Sequence, residues 1–493
     1  MRRVVAGVRA SGKNGTPTAD LRRQEACGAH LSWPSRTWEV GAARTPASVV
    51  RVDERFGSAS GNRAIQGDCL DVAGALLDEG WGGKVDLVYV DPPFASQATY
   101  TKETRLDGPA DGRVLRTRAY DDSWPARKAG ANGAGADDGV GAYLDMLAPR
   151  LEAMTRLLAT TGTIWVHVDW RAAYLVRVLL DEVLGRQAFL NEVVWRRAPN
   201  LGRQAASGQF GRTLDTLVVY GGPDAQLHPP TRLEPIPASS IRRDEAGRPF
   251  TTAPRGDYSD ASMARLDAEG RVHRTATGRL YVKYFLEPNA DGELCRERRI
   301  DTLWTDVPPL RHASIAERTG FPTQKPRALL ERIIACASPQ GGTVVDLFAG
   351  SGTTGEAAHV LGRRFVLGDA GPVAMSTLRA RLLRAKASFT VESCGDAVAP
   401  EGAAPVVHVE RDGEARTRVS LREPAEPLAW AVGAKPAEGE PFAPSWHSER
   451  RFGTVPIAAL REAVVPSGPL EVRVYSDDGS VASLTHAAPE ASA

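Results

Sequence analysis

The stretch Val85-Asp86-Leu87-Val88-Tyr89-Val90-Asp91-Pro92-Pro93-Phe94 decides how the rest of this chain is read. Its first six residues are mostly β-branched or bulky and apolar, the pattern of a strand buried on both faces. The strand stops on an acid and two prolines. A second stretch is built alike: Thr343-Val344-Val345-Asp346 runs into Leu347-Phe348-Ala349-Gly350-Ser351-Gly352-Thr353-Thr354. Each is a buried-strand signal that ends in a turn suited to face a ligand. The tetrapeptide comes first, and the glycine turn follows far downstream.

Around these two strings, strands alternate with helices, which implies a parallel sheet. A short strand is expected at 62–68, a helix at 69–77 and the strand that ends at Asp91. The segment 99–140 reads as a long loop whose glycine-rich end, from Lys128, is low in complexity. Leu144, Leu147, Leu151, Met154, Leu157 and Leu158 form a helical stripe, and strands follow at 163–168 and 192–195. Trp165 and Trp195 belong to the core. Alternation breaks down over 196–321, which reads as an insertion. It returns with a helix at 327–337, a strand at 344–347, a helix at 355–361, a strand at 365–368 and a helix at 373–386.

The chain has 493 residues, enough for one large or two medium cores. Its net charge of +1 marks no polyanion partner overall. Locally the balance differs. From Arg196 to Arg327 basic residues outnumber acidic ones 21 to 16, and from Ala387 to Ala493 acidic residues outnumber basic ones 16 to 9. That asymmetry suits an insertion that meets a polyanion and an extension that avoids it. The five cysteines are scattered and never form CxxC, so no zinc framework or other metal site is expected and a reducing, cytoplasmic setting is. No apolar run is long enough for a membrane span. Met1–Asn14 is basic without the apolar core of a signal peptide, and residues 1–60 read as an unstructured arm.

The glycine turn carries a recognisable chemistry. Gly350 and Gly352 let backbone approach a ligand at a helix start. Asp369 ends the next strand, near the spacing of roughly 20 residues at which an acid takes ribose hydroxyls. A nucleoside cofactor is the expectation. In Asp91-Pro92-Pro93-Phe94 the prolines remove donors and leave carbonyls. A carboxylate beside a carbonyl accepts two N–H bonds, as an exocyclic amino group requires, and an aromatic nearby can stack on a base.

With these motifs in this order, the chain resembles the β-group of S-adenosylmethionine-dependent DNA amino-methyltransferases, and in particular the adenine-specific enzymes of type III modification systems. Supporting strings are Ala119-Tyr120-Asp121-Asp122-Ser123-Trp124, residues 163–169, Phe189–Trp195, and Pro322-Thr323-Gln324-Lys325-Pro326. The resemblance covers about 62–200 and 300–386. It implies an α/β fold: a Rossmann-like methyltransferase sheet in permuted motif order, with an inserted target-recognition region and a small C-terminal extension. On that basis 61–195 and 321–386 are the two parts of a catalytic domain, 196–320 the target-recognition region and 387–493 an acidic extension.

The resemblance further implies that Asp91, Pro92, Pro93 and Phe94 are catalytic. Asp346 would take the methionine amino group, Phe348, Ala349, Gly350, Ser351 and Gly352 would line the cofactor, and Asp369 would hold its ribose. Thr323 and Lys325 would stand at the cofactor or catalytic edge, though Lys325 reads equally as a phosphate contact or a solvated lysine. The chain departs from the common pattern at Ala95, where many relatives carry a polar residue, and at Leu347, which replaces a proline. His167 and Asp169 end a core strand on the same sheet edge as Asp91, where a structural role, satisfying nearby backbone, weighs at least as much as a catalytic one.

The implied reaction is transfer of a methyl group to N6 of a flipped adenine in double-stranded DNA, with a homodimer and a restriction subunit as further partners. Cytosine C5 chemistry needs a thiolate, normally in a Pro-Cys pair, and none is present. Relatives acting on RNA guanine or protein glutamine carry the tetrapeptide after the glycine motif. N4-cytosine methylation stays open, as does a catalytically silent DNA-binding subunit, against which the intact Asp91, Phe94, Gly350 and Gly352 speak.

Overall fold

The computed structural model describes residues 31–33, 35, 36, 39, 41, 49–105, 114–125, 139–199, 210–413, 415–424, 427–450 and 460–487. They form two compact units, one of residues up to 227 and from 305 onward, the other of residues 228–304.

The larger unit is built on one mixed sheet. Its strands in chain order are β1 (Val50–Phe56), β2 (Arg63–Gln66), β3 (Val85–Val90), β6 (Leu158–Val168), β7 (Phe189–Arg196), β8 (Leu214–Gly221), β9 (Thr343–Asp346), β10 (Arg364–Asp369) and β11 (Phe389–Cys394). Their order across the sheet is β1-β11-β2-β10-β9-β3-β6-β8-β7. From β11 to β6 neighbours run parallel, while β1, β8 and β7 are antiparallel additions at the edges. The central pairing joins β9 to β3, with Val344 opposite Leu87 and Val345 opposite Val88. That register carries Asp91 and Asp346, distant in the chain, to the carboxyl ends of adjacent parallel strands.

Side chains alternate across this sheet. Val88, Val90, Ile164, Val166 and Val168 pack with the buried faces of α1 (Cys69–Asp78), α2 (Val140–Thr155) and α3 (Ala173–Leu184). α1 begins because Asp68 caps it, accepting the Leu70 N–H at 2.8 Å. Three further helices, α4 (Arg327–Ala337), α5 (Thr353–Val360) and α6 (Pro372–Arg384), pack against the strands of the glycine-turn half. Leu329, Leu330, Ile333 and Ile334 form the buried stripe of α4.

The segment expected to be a loop over 99–140 contains a hairpin of β4 (Ala98–Arg105) and β5 (Val114–Asp122). Lys102 and Thr104 of β4 point inward and are fully buried. The period-two pattern is present, but polar residues occupy the buried positions, so hydrophobicity alone does not reveal it. Their partner is Asp477. Its carboxylate takes Lys102 Nζ at 3.1 Å, Thr104 Oγ1 at 3.0 Å and Arg450 Nη1 at 2.7 Å.

The acidic extension is also folded. β11 belongs to the main sheet. Strands 406–411, 416–423 and 462–466 form one small sheet, and 444–449, 429–434, 470–475 and 481–486 form another. The two share a core of Val419, Leu421, Trp430, Val432, Val465, Val472 and Val474. A second buried acid anchors this module. Glu54 of β1 receives Arg379 at 3.0 Å, Arg473 at 3.1 Å and Tyr475 OH at 3.0 Å. β1 itself lies inside the stretch 1–60 expected to be unstructured. It alternates, but with charged residues, and it takes its order from pairing with β11. Most of that arm, and most of the glycine-rich stretch after Lys128, lies outside the described residues.

The second unit is narrower than the insertion read over 196–320. It holds a sheet of strands 231–235, 294–299 and 287–288, a second sheet of 242–243, 249–254, 280–285 and 272–274, and the helix Asp260–Ala268. Met263, Leu266, Val272 and Val282 are its small core. With 13 basic and 12 acidic residues, the unit is close to neutral. The basic excess of the wider region therefore lies in its flanks.

Replacing Asp477 by Ala leaves Lys102 buried without its counter-charge and takes one partner from Arg450. Loss of one partner from a buried ion pair costs about 3–5 kcal/mol. A urea titration of Asp477→Ala is expected to show a loss of that size. A midpoint equal to that of the unaltered protein contradicts the anchoring role.

Candidate active site

The carboxyl ends of β3, β9 and β10 open into one cleft of about 430 Å³. Asp91, Pro92, Pro93, Phe94, Thr323, Lys325, Asp346, Phe348, Ala349, Gly350, Ser351 and Asp369 all line it. Of the residues expected at the site, Gly352 alone does not. It lies beneath the turn at φ 75°, where a Cβ would sit 2.6 Å from Leu378 Cβ. Its role is to let the chain enter α5 against α6.

The glycine turn is held by its own acids. Asp346 is buried and accepts the Phe348 N–H at 3.0 Å and the Thr354 hydroxyl at 2.6 Å. Asp369 accepts the Gly350 N–H at 2.8 Å and the Gly371 N–H at 2.8 Å. The Gly350 donor, expected to be open to a ligand, is thus spent on Asp369. Both carboxylates resist ionisation. Burial, opposed by its two hydrogen bonds and reinforced by Asp91 and Asp369, pushes Asp346 up to about 7. Burial likewise pushes Asp369 up to about 6. A buried acid of this kind gains most from a cation or a hydroxyl donor placed against it.

The tetrapeptide loop is fixed from two sides. Lys325 Nζ lies 2.7 Å from Asp91 Oδ1 and 2.5 Å from Asp91 Oδ2, and 5.0 Å from the Phe94 ring centre. Lys325 is thus buried and paired with Asp91 at the cleft. The loop that carries it is braced by Gln324, whose side chain accepts from Thr319 N at 2.8 Å and donates to Glu317 O at 2.8 Å. On the other side stands Asp122. Its buried carboxylate accepts the backbone N–H groups of Phe94 at 3.1 Å, Ala95 at 3.1 Å and Ser96 at 2.8 Å, and Trp124 Nε1 at 2.8 Å. Ala95 has φ 56°, the left-handed conformation that lets successive N–H groups converge on one anion. Its small side chain is compatible with a backbone function, and it does not line the cleft.

The hairpin brings further residues that sequence reasoning did not single out. Tyr120 stacks on Tyr100 with ring centres 4.8 Å apart, and its hydroxyl lies 2.9 Å from Thr323 Oγ1. Asp122 sat inside a quoted supporting string, but its role depends on a hairpin that the polar pattern of β4 concealed. Beneath Phe94, His167 lies roughly parallel at 6.0 Å. Its Nδ1 is 2.8 Å from Tyr89 OH and its Nε2 is 3.2 Å from Asp215 Oδ2. His167 is fully buried. Among the described residues no cluster of His, Cys, Asp and Glu is placed to hold a metal ion. No helix among them is long and apolar enough to cross a membrane.

A carboxylate-and-proline loop facing a glycine turn in one cleft can bind a nucleoside and present an amino group to it. A DNA methylase family model (N6/N4 type) matches residues 85–377, which include both motifs. The chain belongs to the DNA methylase family. The cofactor of this family is S-adenosylmethionine. Type II methyltransferase M.EcaI of Enterobacter cloacae is 26% identical over 61% of this chain and 65% of its own length. The Mod subunit of the type III restriction-modification enzyme StyLTI of Salmonella typhimurium is 26% identical over 61% of this chain and 50% of its own length. The chain therefore spans between half and two thirds of these relatives. Among solved structures, the M1.HpyAVI–SAM complex is 14% identical, covering 65% of this chain and 98% of the other, with a TM-score of 0.36. The cleft suits the family's cofactor: the acids offer partners for an amino group and ribose hydroxyls, and Phe348 offers an apolar face.

Asp122→Ala removes the anion on which three loop N–H groups converge. Misplacement of a reacting group by about 1 Å can cost a hundredfold in rate. Methyl transfer by this variant is expected to fall by about that factor in kcat, with cofactor affinity retained. Unchanged kcat contradicts the role given to Asp122.

Proposed function

We propose that this chain transfers the methyl group of S-adenosylmethionine to the N6 amino group of an adenine flipped out of double-stranded DNA. The observation that carries the reading is the meeting of Asp91-Pro92-Pro93-Phe94 with the Asp346-to-Gly350 turn and Asp369 in one cleft. Bound there, the cofactor supplies an electrophilic methyl group on its sulfonium. Asp346 receives the cofactor's amino group and Asp369 its ribose, while Phe348, Ala349, Gly350 and Ser351 line it.

A stacked base cannot reach such a cleft, so the nucleotide must leave the duplex, at a cost of a few kcal/mol. Phe94 holds the base by stacking. Asp91 and the Pro92 carbonyl accept the two amino protons and direct the nitrogen lone pair toward the methyl group. The Asp91 carboxylate has about four acceptor positions, so it can keep Lys325 while it accepts from the base. Lys325 and Asp122 fix the loop before substrate arrives, which places the catalytic contribution in orientation and electrostatics. The nitrogen would attack the methyl carbon directly as the carbon–sulfur bond breaks, the sulfur would leave as a neutral thioether and the nitrogen would release one proton to solvent, with no covalent enzyme intermediate.

Adenine is favoured over cytosine N4 by the acid at position 91 and by the likeness to adenine-specific type III enzymes. The similarity to the StyLTI Mod subunit supports a modification role in a cytoplasmic restriction-modification system, with a restriction subunit and a second copy of the chain as partners.

Tritiated methyl transfer from S-adenosylmethionine to mixed genomic DNA, followed by nucleoside analysis, should place label on adenine. Label in RNA or protein alone would sink the proposal. Asp91→Ala is expected to abolish transfer while cofactor binding survives.

Cofactor binding should also be linked to a proton. A cationic amino group needs Asp346 ionised, and the empty site holds that group up to about 7. Affinity is expected to rise as pH increases toward 7, approaching about tenfold per unit while the neutral acid dominates. Calorimetry in buffers of different ionisation enthalpy should register proton release. The empty protein shows the linked effect on stability. Its folded state retains a proton that the unfolded chain releases at lower pH, so stability falls as pH rises from the ordinary carboxylate range through about 7. A pH-independent affinity for wild type, equal in slope to that of Asp346→Asn, contradicts this assignment.

A further inference from the structure

Part of the basic excess that flanks the near-neutral second unit in sequence, Arg196, Arg197 and Arg212, has a defined place. β7 ends at Arg196 opposite Leu214 of β8, and Thr216 of β8 lies opposite Val168 of β6. The connection between β7 and β8 therefore emerges at the sheet edge that carries the Asp91 loop. Val90 of β3 pairs with Val166 of β6 at that same edge. Immediately past β6 stands Trp170, three residues beyond the His167 that stacks beneath Phe94.

Trp170 is 44% exposed, an unusual position for the largest apolar side chain. Two guanidinium groups cover it, Arg171 at 4.9 Å and Arg212 at 3.9 Å from the ring centre. Tyr174, 79% exposed, follows at the start of α3. The acids at this rim are buried and hold arginines in place. Asp169 pairs with Arg171, whose backbone N–H it also accepts at 2.8 Å. Asp215 pairs with Arg197 at 2.7 Å. Buried carboxylates thus orient half-exposed arginines, so the rim presents cationic groups and aromatic surface together.

We infer that Trp170, flanked by Arg171 and Arg212, contacts DNA beside the flipped nucleotide, with the arginines on phosphates and the indole against the unstacked neighbouring base. The inference rests on the DNA methyltransferase reading and adds the surface that grips the duplex. Arginine and an aromatic ring are the pairing that binds nucleic acid through phosphate attraction and base stacking. A flipped nucleotide leaves a stacking face exposed next to the vacated position, and that face is the apolar partner the indole needs.

The test measures affinity for a short fluorescein-labelled random-sequence duplex, with S-adenosylmethionine affinity and sedimentation in parallel. Loss of one stacking partner is expected to weaken duplex binding by about tenfold in Trp170→Ala, with cofactor affinity and thermal midpoint unchanged. Trp170→Phe should recover part of the loss. Arg212→Gln should reduce the dependence of affinity on salt by about one phosphate contact. Equal duplex affinity of Trp170→Ala and wild type overturns the inference and leaves the methyltransferase reading standing. A shift from dimer to monomer with duplex affinity per protomer unchanged assigns the surface to a second copy of the chain and also overturns it. Wild type that binds cofactor but no duplex removes the functional reading itself.

Discussion

The ion pair between Lys325 and Asp91 is the contact on which the site depends. It joins the two sequence motifs in space, because Lys325 precedes the glycine turn and Asp91 follows β3. The sheet makes this meeting possible by pairing β9 with β3, so chain order is irrelevant to the order of strands across the sheet. The pair also fixes the acid's orientation. With both oxygens of Asp91 on one ammonium, the carboxylate is held in the empty cleft. A free carboxylate at a half-open cleft would lose rotamer entropy on binding, and the lysine removes that cost beforehand.

The same economy governs the other acids. Asp122, Asp346 and Asp369 each accept backbone N–H groups from the loops they organise. Asp122 gathers the three donors after the prolines, and Asp369 ties the glycine turn to the end of β10. Three loops that would otherwise be irregular become rigid walls, because each has a buried anion at its centre. Burial makes two of these carboxylates, Asp346 and Asp369, harder to ionise in the empty cleft. They supply fixed geometry to the loops through the groups they accept.

The parallel centre of the fold was legible because it is written in apolar side chains. β3, β6 and β9, with the helices that cover them, follow from Val, Ile and Leu in short buried runs and helical stripes. All expected catalytic residues and all expected cofactor residues except Gly352 line one cleft. What escaped was stabilised by charge. β1, the β4–β5 hairpin and the C-terminal module are held by Glu54 and Asp477, and Lys102 and Thr104 occupy positions where a hydropathy pattern looks for valine. Asp122 escaped with the hairpin that delivers it. The insertion was legible as a break in alternation, but its basic excess proved to sit in its flanks, a distinction that required the unit's boundaries.

The account's central claim is that one cleft, closed by Lys325 on Asp91, methylates adenine N6 in duplex DNA. Long-read modification mapping of a host expressing this chain, with an Asp91→Ala host as control, tests it most directly. The account predicts N6-methyladenine at one recurring sequence context in the first host and none in the second. N4-methylcytosine in that context, or DNA without modification, would contradict it.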